Sequence, residues 1–197
     1  MCFCRGFSAV QLATVVEAKP LETIENLSKA YVVEADAFNK YGLFAAQADK
    51  DGYPMVARLF RAAALSEIIH SRNHSAAIDS LGGKLMKFEL KPVKVGTTHE
   101  NLESAAKDER LDELAMYGKF IDRAGLDGLR DAKASFQFAS NSEIQHKQLF
   151  IKGLSVLGPK NVDYYVDVRS GETVEVFSGQ KPPKSDLVNG AYVKAGY

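Results

Sequence analysis

Ser66-Glu67-Ile68-Ile69-His70 and Ser142-Glu143-Ile144-Gln145-His146 are two copies of one short string, placed in successive halves of the chain. Each has a glutamate at a matching distance upstream: the interval from Glu34 to Glu67 and that from Glu109 to Glu143 differ by a single position. The halves also open alike, with Glu25-Asn26-Leu27 and Glu100-Asn101-Leu102, and these openings are offset by the same interval as the two strings to within one position. Register kept across three landmarks indicates an internal duplication. Glu and His at i and i+3 project from one face of a helix, so each Glu-x-x-His offers a carboxylate and an imidazole to one point. Two such pairs, with one glutamate from each partner helix, form the donor set of a carboxylate-bridged dinuclear metal site inside a four-helix bundle.

Working outward, the spacing predicts a first helix from Leu21 to about Lys50, with apolar or aromatic residues at Ile24, Leu27, Tyr31, Phe38, Tyr41 and Ala45. Asp51-Gly52-Tyr53 closes it, and Pro54 suits the first turn of a second helix running to about Ser80. Positions 81–97 form a long connection, rich in Lys and Gly. Extended, it reaches about 56 Å, more than the roughly 40 Å length of the second helix, so the connection can cross the bundle and leave helices two and three parallel. A third helix is expected from an N-cap at Thr98 to Ala124-Gly125, and a fourth from Asp127 to Gly158-Pro159. Short, long, short is the loop pattern of a ferritin-like bundle, so the expected fold class is all-α with a long crossover between helices 2 and 3. After Pro159 the pattern changes: Tyr164-Tyr165-Val166 and Thr173–Phe177 read as two short strands of a small module or packed tail. The expected division is thus an extension over 1–20, the bundle over 21–157 and the small module over 158–197.

Composition bounds the function classes. Twenty-five basic and 25 acidic residues give zero net charge, and no block of like charge offers a track for nucleic acid or an anionic membrane. No stretch reaches the roughly 18–20 apolar residues that a membrane span needs. The cysteines, Cys2 and Cys4, are too close together to staple a fold, so a disulfide framework is excluded and a reducing, cytoplasmic setting is expected. The segment Met1 to Ala18 reads as a plain extension rather than a leader, because Gln11 and Thr14 interrupt the apolar run and no basic n-region precedes it. There is no phosphate-binding glycine loop and no nucleophile elbow. His74 and His99 fall outside the repeat and are expected at the surface, and Phe136 and Phe138 are expected in the core.

Iron and manganese favour carboxylate oxygens with some imidazole, which is what Glu34, Glu67, Glu109, Glu143, His70 and His146 supply. Four carboxylates in a helical interior would lose hydration and repel one another at several kcal/mol each, a cost that cations remove. A single Glu-x-x-His would read as a surface pair. Two copies in register with Glu34 and Glu109 favour the metal site, and the donor types suit two irons, two manganese ions or a mixed pair.

At these residues the chain resembles the rubrerythrins of the ferritin-like superfamily. The resemblance runs over about residues 22–156 and rests on Asn26-Leu27, Glu34 with Tyr41 two helical turns later, Glu67-x-x-His70, Asn101-Leu102-Glu103 with Glu109, Met116-Tyr117 and Glu143-x-x-His146. It implies a non-haem di-iron peroxidase that reduces hydrogen peroxide, and a homodimer. Carried over by position, Glu34, Glu67, Glu109, Glu143 and His146 would be ligands, and His70 a ligand in at least one redox state. Tyr41 and Tyr117 match tyrosines near the metals, where a phenol donates to a carboxylate or to bound peroxide. Asp112 stands where the family usually carries a further glutamate ligand and is one methylene shorter.

The tail also resembles part of that family. Asp167-Val168-Arg169-Ser170-Gly171 and Asp186-Leu187-Val188-Asn189-Gly190 look like the two Cys-x-x-Cys-Gly turns of a rubredoxin module with every cysteine replaced. Asp, Ser and Asn do not substitute for the soft thiolates that hold such an iron. The resemblance therefore implies a module without iron and an external electron donor such as a rubredoxin. The same ligand set would also support a ferroxidase or an oxidase using O₂, or a non-catalytic metal-binding bundle whose tail docks a partner.

Overall fold

The structure is a computed structural model that describes residues 20–108, 111–157 and 161–196, without the side chains of residues 108, 111–114 and 156. Residues 1–19 with Cys2 and Cys4, Glu109, the Gly158-Pro159 helix end and the Asp112 side chain lie outside the described residues. Five helical elements and three strands follow in order: α1 (Leu21–Lys50), α2 (Pro54–Ser80), α3 (Thr98–Asp108), α4 (Leu111–Leu126), α5 (Arg130–Val156), β1 (Val162–Asp167), β2 (Thr173–Phe177) and β3 (Tyr192–Lys194). This is the ferritin-like helical bundle with a small appended sheet.

Local chemistry sets the corners. Gly52 takes φ +81° directly after α1, and Pro54 supplies the first residue of α2, where a missing N–H costs nothing. Thr97 rather than Thr98 caps α3: Glu100 Oε2 accepts from Thr97 N at 2.8 Å, and Glu100 N donates back to Thr97 Oγ1 at 3.3 Å. That reciprocal capping box frees Thr98 to donate, through N and Oγ1, to Asp51 Oδ2 at 2.8 and 2.6 Å. The same contact puts the start of α3 beside the α1–α2 corner, where α2 also starts, so α2 and α3 run parallel. The 81–97 connection returns along α1, with Phe88 edge-on to Tyr31 at 5.5 Å and Lys91 N bonded to Asp36 Oδ1 at 2.9 Å. The fourth long helix begins at Arg130, not Asp127. Asp127 is drawn off by Thr23 Oγ1 at 2.7 Å and Arg123 Nη2 at 2.8 Å, which tie the end of α4 to the start of α1.

The core is in two parts. One cluster is built on Tyr41, Phe44, Phe60, Leu102 and Phe150, the other on Leu27, Ile78, Tyr117, Phe120 and Phe136. Along α1 the buried stripe runs Leu27, Ala30, Glu34, Tyr41, Ala45, and along α5 it runs Phe136, Ala139, Glu143, His146, Phe150. The polar residues continue an apolar stripe at the same helical spacing, so they form a layer between the two clusters. Phe138 is half-buried, outside this core.

The sheet has the order β2-β1-β3, antiparallel throughout, with Val166 opposite Thr173 on one side and Val193 on the other. The local pattern predicts two strands; Tyr192–Lys194 adds the third. Its central strand lies against α2, where Asp163 meets Arg58 at 3.4 Å and Lys194 at 2.8 Å.

Candidate metal centre

Glu34 comes from α1, Glu67 and His70 from successive turns of α2, and Glu143 and His146 from α5. All five are buried, and Glu34, Glu67, His70 and His146 are completely so. They form two groups sharing one member: Glu34, Glu67 and His70, then Glu67, Glu143 and His146, with one donor atom per residue lying within 4.8 Å of the others in its group. Glu67 is therefore the carboxylate common to both halves. Glu109 and the side chain of Asp112 lie outside the described residues, and Tyr41 packs in the aromatic cluster of Phe60 and Phe150, with Lys40 Nζ 4.6 Å above its ring. Tyr117 reaches the layer directly, its hydroxyl donating to Glu34 Oε1.

The electrostatics are those of donors crowded without enough protons to join them. Burial pushes the Glu34 carboxyl up, but the imidazoles of His70 and His74 outweigh this and hold it well below the usual carboxylate range. For Glu67, burial and the neighbouring Glu34 charge win, and its pKa is pushed up to about 8. Burial disfavours the His70 cation, yet Glu34 and Glu67 raise its pKa to about 10. His70 Nδ1 and Glu67 Oε2 share a proton across 3.0 Å, at a place where a cation would bind. Glu67 Oε1 lies 3.1 Å from His146 Nδ1 but makes no hydrogen bond, and Glu34 Oε2 likewise makes none. Buried carboxylate oxygens left over in this way, in a layer of oxygen and imidazole donors, fit hard divalent cations, which would replace the shared protons.

Four features escape the repeat. His74, which its place outside the repeat puts at the surface, is fully buried: Glu67, His70 and His74 fall at i, i+3 and i+7 of α2 and share its inner face. Its Nδ1 is hydrogen-bonded to Ser135 Oγ at 2.7 Å, and its Nε2 lies 3.8 Å from Glu34 Oε1. Burial pushes its pKa down. His99 is exposed, as expected. The others come from the C-terminal module: Ser170 O accepts from His70 Nε2 at 3.0 Å, Gly171 O accepts from Ser66 Oγ at 2.6 Å, and Thr173 Oγ1 lies 3.3 Å from His146 Nε2. These partners are far apart in the chain, and nothing in the local pattern announces them. The helical spacing of His74 is the one available signal.

A family model described as Rubrerythrin matches residues 25–154. The rubrerythrin of Clostridium perfringens is 32% identical over 138 residues, 68% of this chain and 70% of that one. Among solved structures, nigerythrin in a mixed-valence state superposes with a TM-score of 0.70 at 26% identity, covering 87% of this chain and 84% of that one. Bacterioferritin of Rhodobacter capsulatus superposes with a TM-score of 0.63 at 24% identity, covering 69% and 85%, a likeness of fold.

Proposed function

The chain belongs to the rubrerythrin family, and from that premise we propose that it is a non-haem di-iron peroxidase of oxidative-stress defence, reducing hydrogen peroxide with electrons from an external donor. The observation that carries this is the pair of donor groups joined by Glu67. Glu34, Glu67, His70, Glu143 and His146 would hold the ions together with Glu109 and Asp112, and manganese or a mixed pair suits the same donors. A ferrous pair held by these residues would supply the two electrons for reducing hydrogen peroxide, which with two protons gives two waters.

The chain's own part is to orient and to keep dry. Tyr117 donates to Glu34 Oε1, which leaves Oε2 for the centre, and it is a buried phenol next to the site. The aromatic clusters on either side close the layer to bulk water, which strengthens each charge interaction within it. Tyr41, buried in the cluster on the other side, is proposed as the second tyrosine near the metals. The segment 158–197 is the cysteine-less counterpart of a rubredoxin module. Asp167 Oδ1 accepts from Arg169 N and Ser170 N, both at 2.9 Å, so hydrogen bonds close the turn that a metal would otherwise close. Electrons then come from outside, from a donor such as a rubredoxin. A homodimer in a reducing, cytoplasmic setting completes the proposal. Among the described residues no helix is long and apolar enough to cross a membrane.

The test is metal content per chain by plasma mass spectrometry, followed by stopped-flow oxidation of the reduced protein. Two irons or manganese per wild-type chain and almost none in a Glu67→Ala, Glu143→Ala double variant, with faster oxidation by peroxide than by O₂, is the expected result. Faster oxidation by O₂ would make the protein an oxidase, oxidation by peroxide only over minutes a non-catalytic bundle, and metal that survives loss of both glutamates would end the dinuclear reading.

A further inference from the structure

The two histidines of the repeat are held alike. Each turns Nδ1 toward the carboxylates, at 3.0 Å from Glu67 Oε2 for His70 and 3.1 Å from Glu67 Oε1 for His146. Each turns Nε2 outward onto the same short turn of the C-terminal module. Ser170 O can only accept, so His70 Nε2 carries a hydrogen. Thr173 Oγ1, 3.4 Å from Gly171 O, stands 3.3 Å from His146 Nε2, where its oxygen can accept from Nε2–H. Each ring thus has an acceptor for Nε2–H, and once the proton shared with Glu67 has left, the Nδ1 lone pair is the one offered to a metal.

The turn is itself clamped by both copies of the repeated string. Ser66 Oγ donates to Gly171 O at 2.6 Å, Gln145 Oε1 accepts from Thr173 N at 3.2 Å, and Asn73 Nδ2 donates to Arg169 O at 2.9 Å. Gly171 makes the close approach possible. It adopts φ +78°, and a Cβ there would stand 2.3 Å from His70 Nε2 and 2.9 Å from Ser66 Oγ.

We propose that the 169–173 turn of the C-terminal module is a positioning element for the metal centre, its Ser170 carbonyl and Thr173 hydroxyl fixing His70 and His146 so that both Nδ1 atoms stay aimed at the carboxylates. This rests on the dinuclear reading above. It gives a module without cysteines a function that needs no electron transfer through it, and it ties His70 in place rather than leaving it free to swing in and out of coordination.

Two readouts on the full chain test it: solvent exchange of the imidazole Nε2–H protons in metal-free protein labelled with ¹⁵N-histidine, and the Mn²⁺ dissociation constant. The wild type should show protected Nε2–H protons on His70 and His146. Gly171→Ala should release that of His70, Thr173→Val that of His146, and each should weaken Mn²⁺ binding about 10- to 100-fold. If Gly171→Ala does not fold, Ser66→Ala removes one clamp on the same turn without adding volume and is read in the same way. Protons that stay protected in the variants, or Mn²⁺ affinity within about threefold of wild type, would overturn the proposal. A wild type that binds no Mn²⁺ while its Nε2–H protons are protected and the variants release them would sink the metal reading and leave the turn's hold on the rings standing.

Discussion

His74 Nε2 lies 3.8 Å from Glu34 Oε1, and both side chains are completely buried. The imidazole is fixed from its other side by Ser135 Oγ at 2.7 Å, so a chain Ser135–His74–Glu34–Tyr117 runs through the half of the layer nearest the Phe136 cluster. Glu34 is thus hydrogen-bonded by Tyr117 and flanked by His74, whose Nε2 lies beyond hydrogen-bond distance.

His74→Leu keeps the volume and removes that polar neighbour. The expected outcome is a roughly 10- to 100-fold loss of Fe²⁺ or Mn²⁺ affinity with the helical content unchanged, read by metal titration beside far-ultraviolet circular dichroism. An unaltered affinity would make His74 a core residue only.

Tyr117→Phe leaves Glu34 Oε1 without its hydroxyl donor in a buried site. The cost should be about 1–3 kcal/mol in chemical denaturation of metal-free protein. With metal bound, the carboxylate has another partner and the loss should shrink. Equal losses in the two states would mean that Tyr117 acts through packing alone.

Asp51 joins the α1–α2 corner to the start of α3, and its hydrogen bonds from the side chain and backbone of Thr98 hold its pKa below the usual value. A carboxylate lowered on folding stabilises above its unfolded pKa, near 4, and that contribution is lost as pH falls through the folded value. Thermal melts of wild type and Asp51→Asn should therefore differ at neutral pH, with the wild type the more stable, and converge in acid. A gap that widens below about pH 4 would contradict this.

Phe60 is fully buried against Tyr41, Phe44 and Phe150. Phe60→Ala opens a cavity at the centre of that cluster and should cost about 3–5 kcal/mol in urea denaturation. Metal stoichiometry in the protein that remains folded should stay at the wild-type value, since the side chain belongs to the aromatic cluster and supplies no donor atom.

Much of the fold follows from local chemistry and is legible in the chain. The buried stripes of α1, α2 and α5 repeat every three or four positions, Gly52 with Pro54 marks a tight corner, and the 81–97 connection is long enough to cross the bundle. The spacing of Glu34, Glu67, His70, Glu143 and His146 likewise puts each on the inner face of its own helix, because helical periodicity depends only on residues a turn apart. The end of the third helix is legible only to within a position or two, and the fourth starts at Arg130 rather than Asp127 because Thr23 and Arg123 capture Asp127.

What tertiary structure alone decided is which atoms face which. That His74 is interior, that Tyr117 serves Glu34, that a third strand completes the module, and that Ser170 and Thr173 reach His70 and His146 all depend on segments brought together from distant parts of the chain. A sequence sets the face a side chain occupies through backbone geometry. The partner on that face is chosen by packing, where a glycine without a Cβ at position 171 admits a contact that no local pattern encodes.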